Sequence, residues 1–356
     1  MSDIVPPERF NGITRREFLK LSGAAFLSLF FNQLDEPFTH AVQAQSDEQV
    51  LPSGRVVGSS ANILDSPSLS GKLVRVAGRD NVLPITRATI GDEEPGYNRV
   101  WYEVNHEGYI HSGSLQPVEE ILNAALTEIP KEGQLVTVTV PYTDSVWNPK
   151  YPNYTHYRLY FGSVYWAKAI RQDKDGKFWY HIPDDKFGIS YFARAEHLRP
   201  ILADELALLS PQVPAEAKRL EVRLKEQVVI AYENDVAVFM SRVATGGKFK
   251  SGNFQTPIGR YLTNRKRPSR HMTDGDRAAA ASYDLPGIPW VSYLTSYGIA
   301  FHGTYWHNDF GKPRSHGCIN CSNAAARWIY RWTAPHVPTG EATWEEEEGT
   351  IVDVVA

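Results

Sequence analysis

The chain has 356 residues, 42% hydrophobic and 12% aromatic, and 37 basic against 41 acidic side chains give a formal net charge of -4. That length predicts two or three domains rather than one, and the apolar content suffices for globular cores and excludes wholesale disorder. A slightly negative chain lacks the basic field that nucleic-acid binding needs, and two cysteines three positions apart, Cys318 and Cys321, cannot staple distant segments.

Near the N-terminus, Thr14-Arg15-Arg16-Glu17-Phe18-Leu19-Lys20 precedes a short apolar run from Leu21 to Phe31. A hydrocarbon core needs about twenty apolar residues, so the run fits a signal-peptide core better than an anchor. The paired arginines with Phe-Leu-Lys resemble the twin-arginine export signal, and Val42-Gln43-Ala44 offers a small-residue cleavage site. Residues 1–45 are expected to direct export, to the cell wall or periplasm. No later apolar run exceeds a strand's length, so no stable membrane span is expected after signal removal.

From Val50 to Val118, short β-prone runs alternate with turn residues such as Gly54, Asp65-Ser66-Pro67, Gly78 and Pro95-Gly96, which predicts a small β barrel. Val100-Trp101-Tyr102-Glu103-Val104, then Glu107-Gly108-Tyr109-Ile110-His111 and Leu115-Gln116-Pro117, resemble the end of a bacterial SH3-like domain. A second copy reads Phe178-Trp179-Tyr180-His181-Ile182, Gly188-Ile189-Ser190-Tyr191 and His197-Leu198-Arg199-Pro200, with Trp101 and Trp179 offset by 78 residues. Residues 46–120 and 121–203 are therefore expected to be two SH3-like barrels. Aromatics such as Tyr109, Tyr165 and Trp166 either fill the barrel cores or line a groove for peptide or glycan. Pro211 and Pro214 mark residues 204–218 as a linker.

Residues 219–356 read as a mainly β domain with one late helix. Leu220 to Leu224 alternates apolar and charged residues. Gln227 to Tyr232 and Val236 to Ala244 flank Glu233-Asn234-Asp235 as a hairpin. Alanines behind a Ser322 N-cap predict a helix over 322–332. Glu345 to Glu348 reads as a solvated turn before a closing strand over 350–355. Pro286-Gly287-Ile288-Pro289 reads as a turn-rich segment able to cover a site.

Both cysteines and three of the eleven histidines lie within 299–323, IAFHGTYWHNDFGKPRSHGCINCSN. A thiol attacks a carbonyl as its thiolate, and a neighbouring imidazole supplies that form by taking the proton. His316 precedes Cys318 by two and flanks it without having to touch it. His302, if carried on a neighbouring strand, approaches the sulfur across the ladder, where facing Cβ atoms lie about 4.5–5.5 Å apart. Gly317 lets backbone and substrate come close, and the Gly317 and Cys318 amides are candidate donors to an oxyanion. The helix after Ser322 is expected to bring its N-terminus near the sulfur and favour the thiolate.

His302-Gly303-Thr304, Gly311 and Ser315-His316-Gly317-Cys318-Ile319 resemble the signature of the YkuD-like L,D-transpeptidase catalytic domains. The likeness extends to Thr256-Pro257-Ile258-Gly259 and Arg267-Pro268-Ser269-Arg270-His271-Met272. It implies a β-rich fold whose cysteine takes up a peptidoglycan stem peptide at its third residue, releases D-alanine and passes the acyl group to an amine of a neighbouring stem. It also implies His302 as base, oriented by a backbone carbonyl near Gly303, with His316 and Gly317 in the catalytic set. Asn320, Ser315, Thr304, Tyr305 and Arg267 are the expected substrate-binding residues, and no cofactor or metal is expected. Asn320 stands where many members carry arginine, and it donates hydrogen bonds without a charge-assisted fork. Cys321 reads as a packed core thiol.

Other readings fit less well. C-x-x-C is a redox spacing, but no βαβ context precedes it. His302, His307, Asp309, His316, Cys318 and Cys321 are ligand types, but only one Cys pair exists where a structural zinc site wants two separated pairs. Papain-like hydrolases place the cysteine before the histidine. A wall-binding adaptor without catalysis, and a carboxypeptidase that uses water as acceptor, stay open.

Overall fold

The computed structural model describes residues 53–250, 252–273 and 283–356; the expected export signal lies outside the described residues. Ser53 to Val118 form one seven-stranded antiparallel sheet, in which Ser53–Val56 pairs with both Val82–Ile90 and Leu115–Val118. Gln134 to Pro200 form a five-stranded and a three-stranded sheet around Val136, Leu159, Tyr165, Tyr180 and Leu198. The two modules share a local order. Strands Val100–Val104 and Gly108–His111, a 3-10 turn and Leu115–Val118 recur as Phe178–Pro183, Ser190–Arg194, a 3-10 turn and Leu198–Pro200. Trp101 and Trp179 are buried at matching places in this repeat.

Residues 204–218 are not a bare connector. They carry 3-10 turns at Asp204–Leu206 and Ala215–Ala217, and Glu205 binds both Arg199 and Arg327, tying the second module to the late helix.

The C-terminal domain stacks two five-stranded sheets. One contains the hairpin Val228–Glu233 and Val236–Arg242, turned at Asn234 and Asp235 with φ of 49° and 62°, the left-handed pair that a tight two-residue hairpin favours. In it, Ile351–Val355 runs parallel to Lys218–Arg223. The other sheet has the strand order Ile319–Cys321, Ala300–Gly303, Asp284–Tyr293, Arg265–Thr273, Trp344–Glu345. The helix spans Asn323–Trp332, and the Ser322 hydroxyl accepts from the Ala325 amide at 3.2 Å, so the expected cap is present. Phe301, Ile319 and Cys321 pack with Ala325, Ala326 and Ile329 on one face of this sheet. Because side chains alternate along a strand, Ala300, His302 and Asn320 are left on the opposite face. At the helix C-terminus, buried Lys266 donates to the Tyr330 and Thr333 carbonyls, satisfying acceptors that lack partners within the helix.

Pro286 to Pro289 belong to the ten-residue strand Asp284–Tyr293 rather than to a covering loop. The reason lies in the second module. Gly287 has φ of 68°, and a Cβ there would sit 2.2 Å from the Tyr165 ring, while the Pro286 carbonyl accepts from the Tyr165 and Tyr305 hydroxyls. The glycine admits a packed aromatic instead of making a free turn.

Candidate active site

Cys318 precedes its strand by one residue and is half-buried, with its thiol free. The parallel pairing sets Phe301 against Ile319 and His302 against Asn320. Continuing the register by one residue places Cys318 beside Ala300, whose backbone amide favours the thiolate. His302 is therefore a diagonal neighbour of Cys318 rather than a directly facing one. A strand spacing of about 4.8 Å and a two-residue advance of about 6.6 Å put their Cα atoms roughly 8 Å apart on one face.

His302 is 3% exposed, and its Nδ1 meets the Gly303 carbonyl at 3.0 Å. A carbonyl only accepts, so Nδ1 carries the proton and Nε2 is left as the basic nitrogen. Burial pulls the His302 pKa down to about 4. Burial likewise pushes the Cys318 thiol up to about 11, against the opposing pull of the Ala300 amide. Burial thus disfavours the charged form of both groups, which suits proton transfer during attack better than a standing ion pair. The helix N-terminus does not serve the sulfur, because the strand Ile319–Cys321 carries the chain away before the helix begins. Buried Cys321 packs in the core, and its thiol is also pushed up by burial.

Two hydroxyls, of Thr256 and Ser315, hold the loop that leads into Cys318. Thr256 Oγ1 donates to the Gly317 carbonyl at 2.8 Å and accepts from the Gly246 amide at 2.9 Å, which gives the upstream Thr-Pro motif a local task. Ser315 Oγ donates to the Cys318 carbonyl and accepts from the Gly317 amide at 3.2 Å. Gly317 has φ of 119°, a conformation that penalises any side chain. His316 is exposed, and Phe254, Phe249 and Tyr283 surround it with ring centroids at 4.4, 5.7 and 6.1 Å.

Several expected substrate-binding residues point elsewhere. Thr304 Oγ1 donates to the Cys321 carbonyl at 3.1 Å, and Tyr305, 2% exposed, stacks on Tyr160 of the second module. Arg267 and Arg270 both bind Asp185, at 3.1 and 2.6 Å, while His271 lies between Asp184 and Asp284. Asn320 is buried, and its side-chain amide meets His307 Nε2 at 2.9 Å.

His307 and its neighbours form a support that the sequence did not assign. His307 Nδ1 accepts from the Asp309 amide at 3.3 Å, and burial, aided by Arg314, lowers the ring's pKa to about 3. The first module grips the same segment. Asn308 Nδ2 donates to the Ser112 and Leu115 carbonyls, each at 3.1 Å, and Tyr97 donates to Asp309 at 2.9 Å. Arg55, buried beside Asp80 and Gln116, donates to the Tyr305 carbonyl. Polar residues in a histidine-rich loop gave a faint signal for these roles, but their partners lie about two hundred positions away.

Residues 217–354 match the family model described as YkuD, L,D-transpeptidase catalytic domain. Among solved structures, the chain is similar to a cysteine-to-serine mutant of the Enterococcus faecium L,D-transpeptidase, with 18% identity over 39% of this chain and 50% of that one and a TM-score of 0.30. It is also similar to the Xylanimonas cellulosilytica L,D-transpeptidase, with 21% identity over 39% and 60% and a TM-score of 0.26. For the Mycobacterium smegmatis L,D-transpeptidase the values are 14% identity over 55% and 90% and a TM-score of 0.32. The chain thus spans about half the length of the Enterococcus faecium chain it matches. No curated protein matches the chain.

Proposed function

We propose that this protein is an exported cysteine acyltransferase of peptidoglycan stem peptides. Cys318 Sγ attacks the carbonyl of the stem's third residue while its proton passes to His302 Nε2. The bond to the terminal D-alanine breaks, the proton goes to the leaving amine, and a thioester forms. An amine of a neighbouring stem then attacks the thioester, gives its proton back through His302, and leaves an amide crosslink of the 3-3 type and a free thiol. The observation that carries this reading is the committed tautomer of His302 on the face that bears Cys318. The matched catalytic-domain family supports it.

The Gly317 amide is occupied by Ser315, so the Cys318 amide is the backbone donor assigned to the developing oxyanion. The rings around His316 form one wall for the peptide. The two N-terminal modules are proposed to be SH3-like.

The test is mass spectrometry of the folded, reduced protein after exposure to a carbapenem. One adduct is expected, abolished by Cys318→Ala; absence of any adduct would sink the enzyme reading and leave the wall-binding adaptor. Products from tetrapeptide muropeptides then separate crosslinking from hydrolysis.

A further inference from the structure

The basic run Arg265 to His271 divides in the fold. Arg267, Arg270 and His271 are taken by Asp185, Asp184 and Asp284. Arg265 has no carboxylate within ion-pair distance among the described residues. Its guanidinium instead lies over the Tyr293 ring, 4.1 Å from the centroid.

Register places this arginine in the row of the nucleophile. Tyr293 pairs with Ala300, Arg265 pairs with Tyr293, and Glu345 pairs with Arg265. With Cys318 beside Ala300, the row across the sheet reads Cys318, Ala300, Tyr293, Arg265, Glu345. Directly paired residues share a face, so Arg265 stands on the face of the thiol, three strand spacings or about 14 Å away. Stacking on Tyr293 brings its charge one spacing closer, to about 10 Å.

A groove of about 580 Å³ opens at this end of the sheet, bordered by Arg260, Arg265, Leu294, Thr295, Ser296 and, on the strand beside Arg265, Glu345, which makes no ion pair with it. Arg260 is engaged by Asp353 in a two-pronged ion pair, so Arg265 is the cation left to the groove. The turn that borders the groove also reaches the sulfur. The Ile299 amide donates to Thr295 Oγ1 at 2.9 Å, and Cys318 Sγ lies 3.6 Å from the Gly298 carbonyl.

We propose that Arg265, backed by Tyr293, is the carboxylate subsite for the peptide whose acyl group Cys318 accepts. Resting on the acyl-transfer reading, this places in Arg265 the charge that Asn320 lacks. An extended peptide advances about 3.3–3.6 Å per residue, so a carboxylate on a side branch of the residue before the acyl residue covers that advance plus the length of its own branch and points along the row towards Arg265. Arginine on an aromatic face keeps its fork free for a bidentate carboxylate.

The experiment measures binding of two tetrapeptides that differ only in whether the second residue's carboxylate is free or amidated, on the whole chain carrying Cys318→Ala so that no chemistry intervenes. The free acid is expected to bind about tenfold tighter, the scale of one charge-assisted hydrogen bond. Adding Arg265→Gln is expected to erase that preference and Arg265→Lys to restore part of it. Equal binding of the two peptides, or a preference that survives Arg265→Gln, overturns the subsite. Carbapenem acylation of Cys318 in Arg265→Gln reports separately on the transferase reading, because the binding comparison needs no turnover.

Discussion

His302 stands opposite Asn320, not Cys318, in the parallel pair that carries the site. The imidazole is therefore a diagonal neighbour of Cys318, and its orientation depends on the Gly303 carbonyl that holds Nδ1. Asn320, the cross-strand partner of His302, is itself held by His307.

His302→Ala is expected to slow Cys318 acylation by about 10²–10⁴-fold, the range for losing a positioned general base. His316→Ala removes an exposed ring and is expected to cost far less, chiefly in KM. Rates of carbapenem adduct formation by mass spectrometry check this; the reverse order reassigns the base to His316.

Acid should destabilise the protein through its buried imidazoles. Burial holds His302 at about 4 and His307 at about 3, against about 6.5 when unfolded. The unfolded chain then takes up protons first, so the stability these neutral rings contribute is full above about pH 6.5 and is lost as pH falls towards 4. For His302 the loss is on the order of 3 kcal/mol. At His271 burial is outweighed by the bonds to Asp184 and Asp284, so its pKa is raised. Its contribution is full below about pH 6.5 and fades above that. Urea unfolding across pH 7 to 4.5 should show a falling midpoint, with a shallower slope in His302→Gln; a flat profile contradicts the buried neutral rings.

Detaching the first module from the 305–312 segment should disturb the site. Asn308→Ala leaves two backbone carbonyls without their donor, at about 1–3 kcal/mol. Gly113→Ala drives a Cβ to 2.6 Å from Asp309 Oδ1, so the carboxylate must move. Both variants are expected to unfold at lower urea and to acylate more slowly. Unchanged acylation with lowered stability would make the contact purely structural.

Arg267→Gln is expected to leave peptide KM within about twofold, because its charge is spent on Asp185. Asp185→Asn removes the negative charge shared by Arg267 and Arg270 and leaves one oxygen where two served them and the His271 amide. It is expected to cost about 1–3 kcal/mol, since two partly buried cations lose their partner. Steady-state kinetics and urea unfolding separate the two effects; a large KM increase in Arg267→Gln would place that residue in the substrate site after all.

The helix with its Ser322 cap, the 228–242 hairpin and the closing strand were legible because each signal is local. A capping hydroxyl, a left-handed turn pair and alternating apolar residues act within a few positions. The Cys, His and Gly types around Cys318 were legible for the same reason. Less could be read of Pro286 to Pro289. Proline and glycine announce a turn, but here the glycine makes room for Tyr165, more than a hundred positions earlier.

By itself the sequence determined the β-rich architecture, the late helix and the candidate nucleophile and base, since residue type and short-range spacing specify all of these. Tertiary structure decided which groups meet. Arg55 reaches Tyr305 across 250 positions, and Asn308 reaches Ser112 across 196. Such encounters bind Thr304, Tyr305 and Arg267 into the scaffold, the last through Asp185, and leave Arg265 stacked on Tyr293. Burial and ion pairing are set by segments distant in the chain, and no local pattern encodes them.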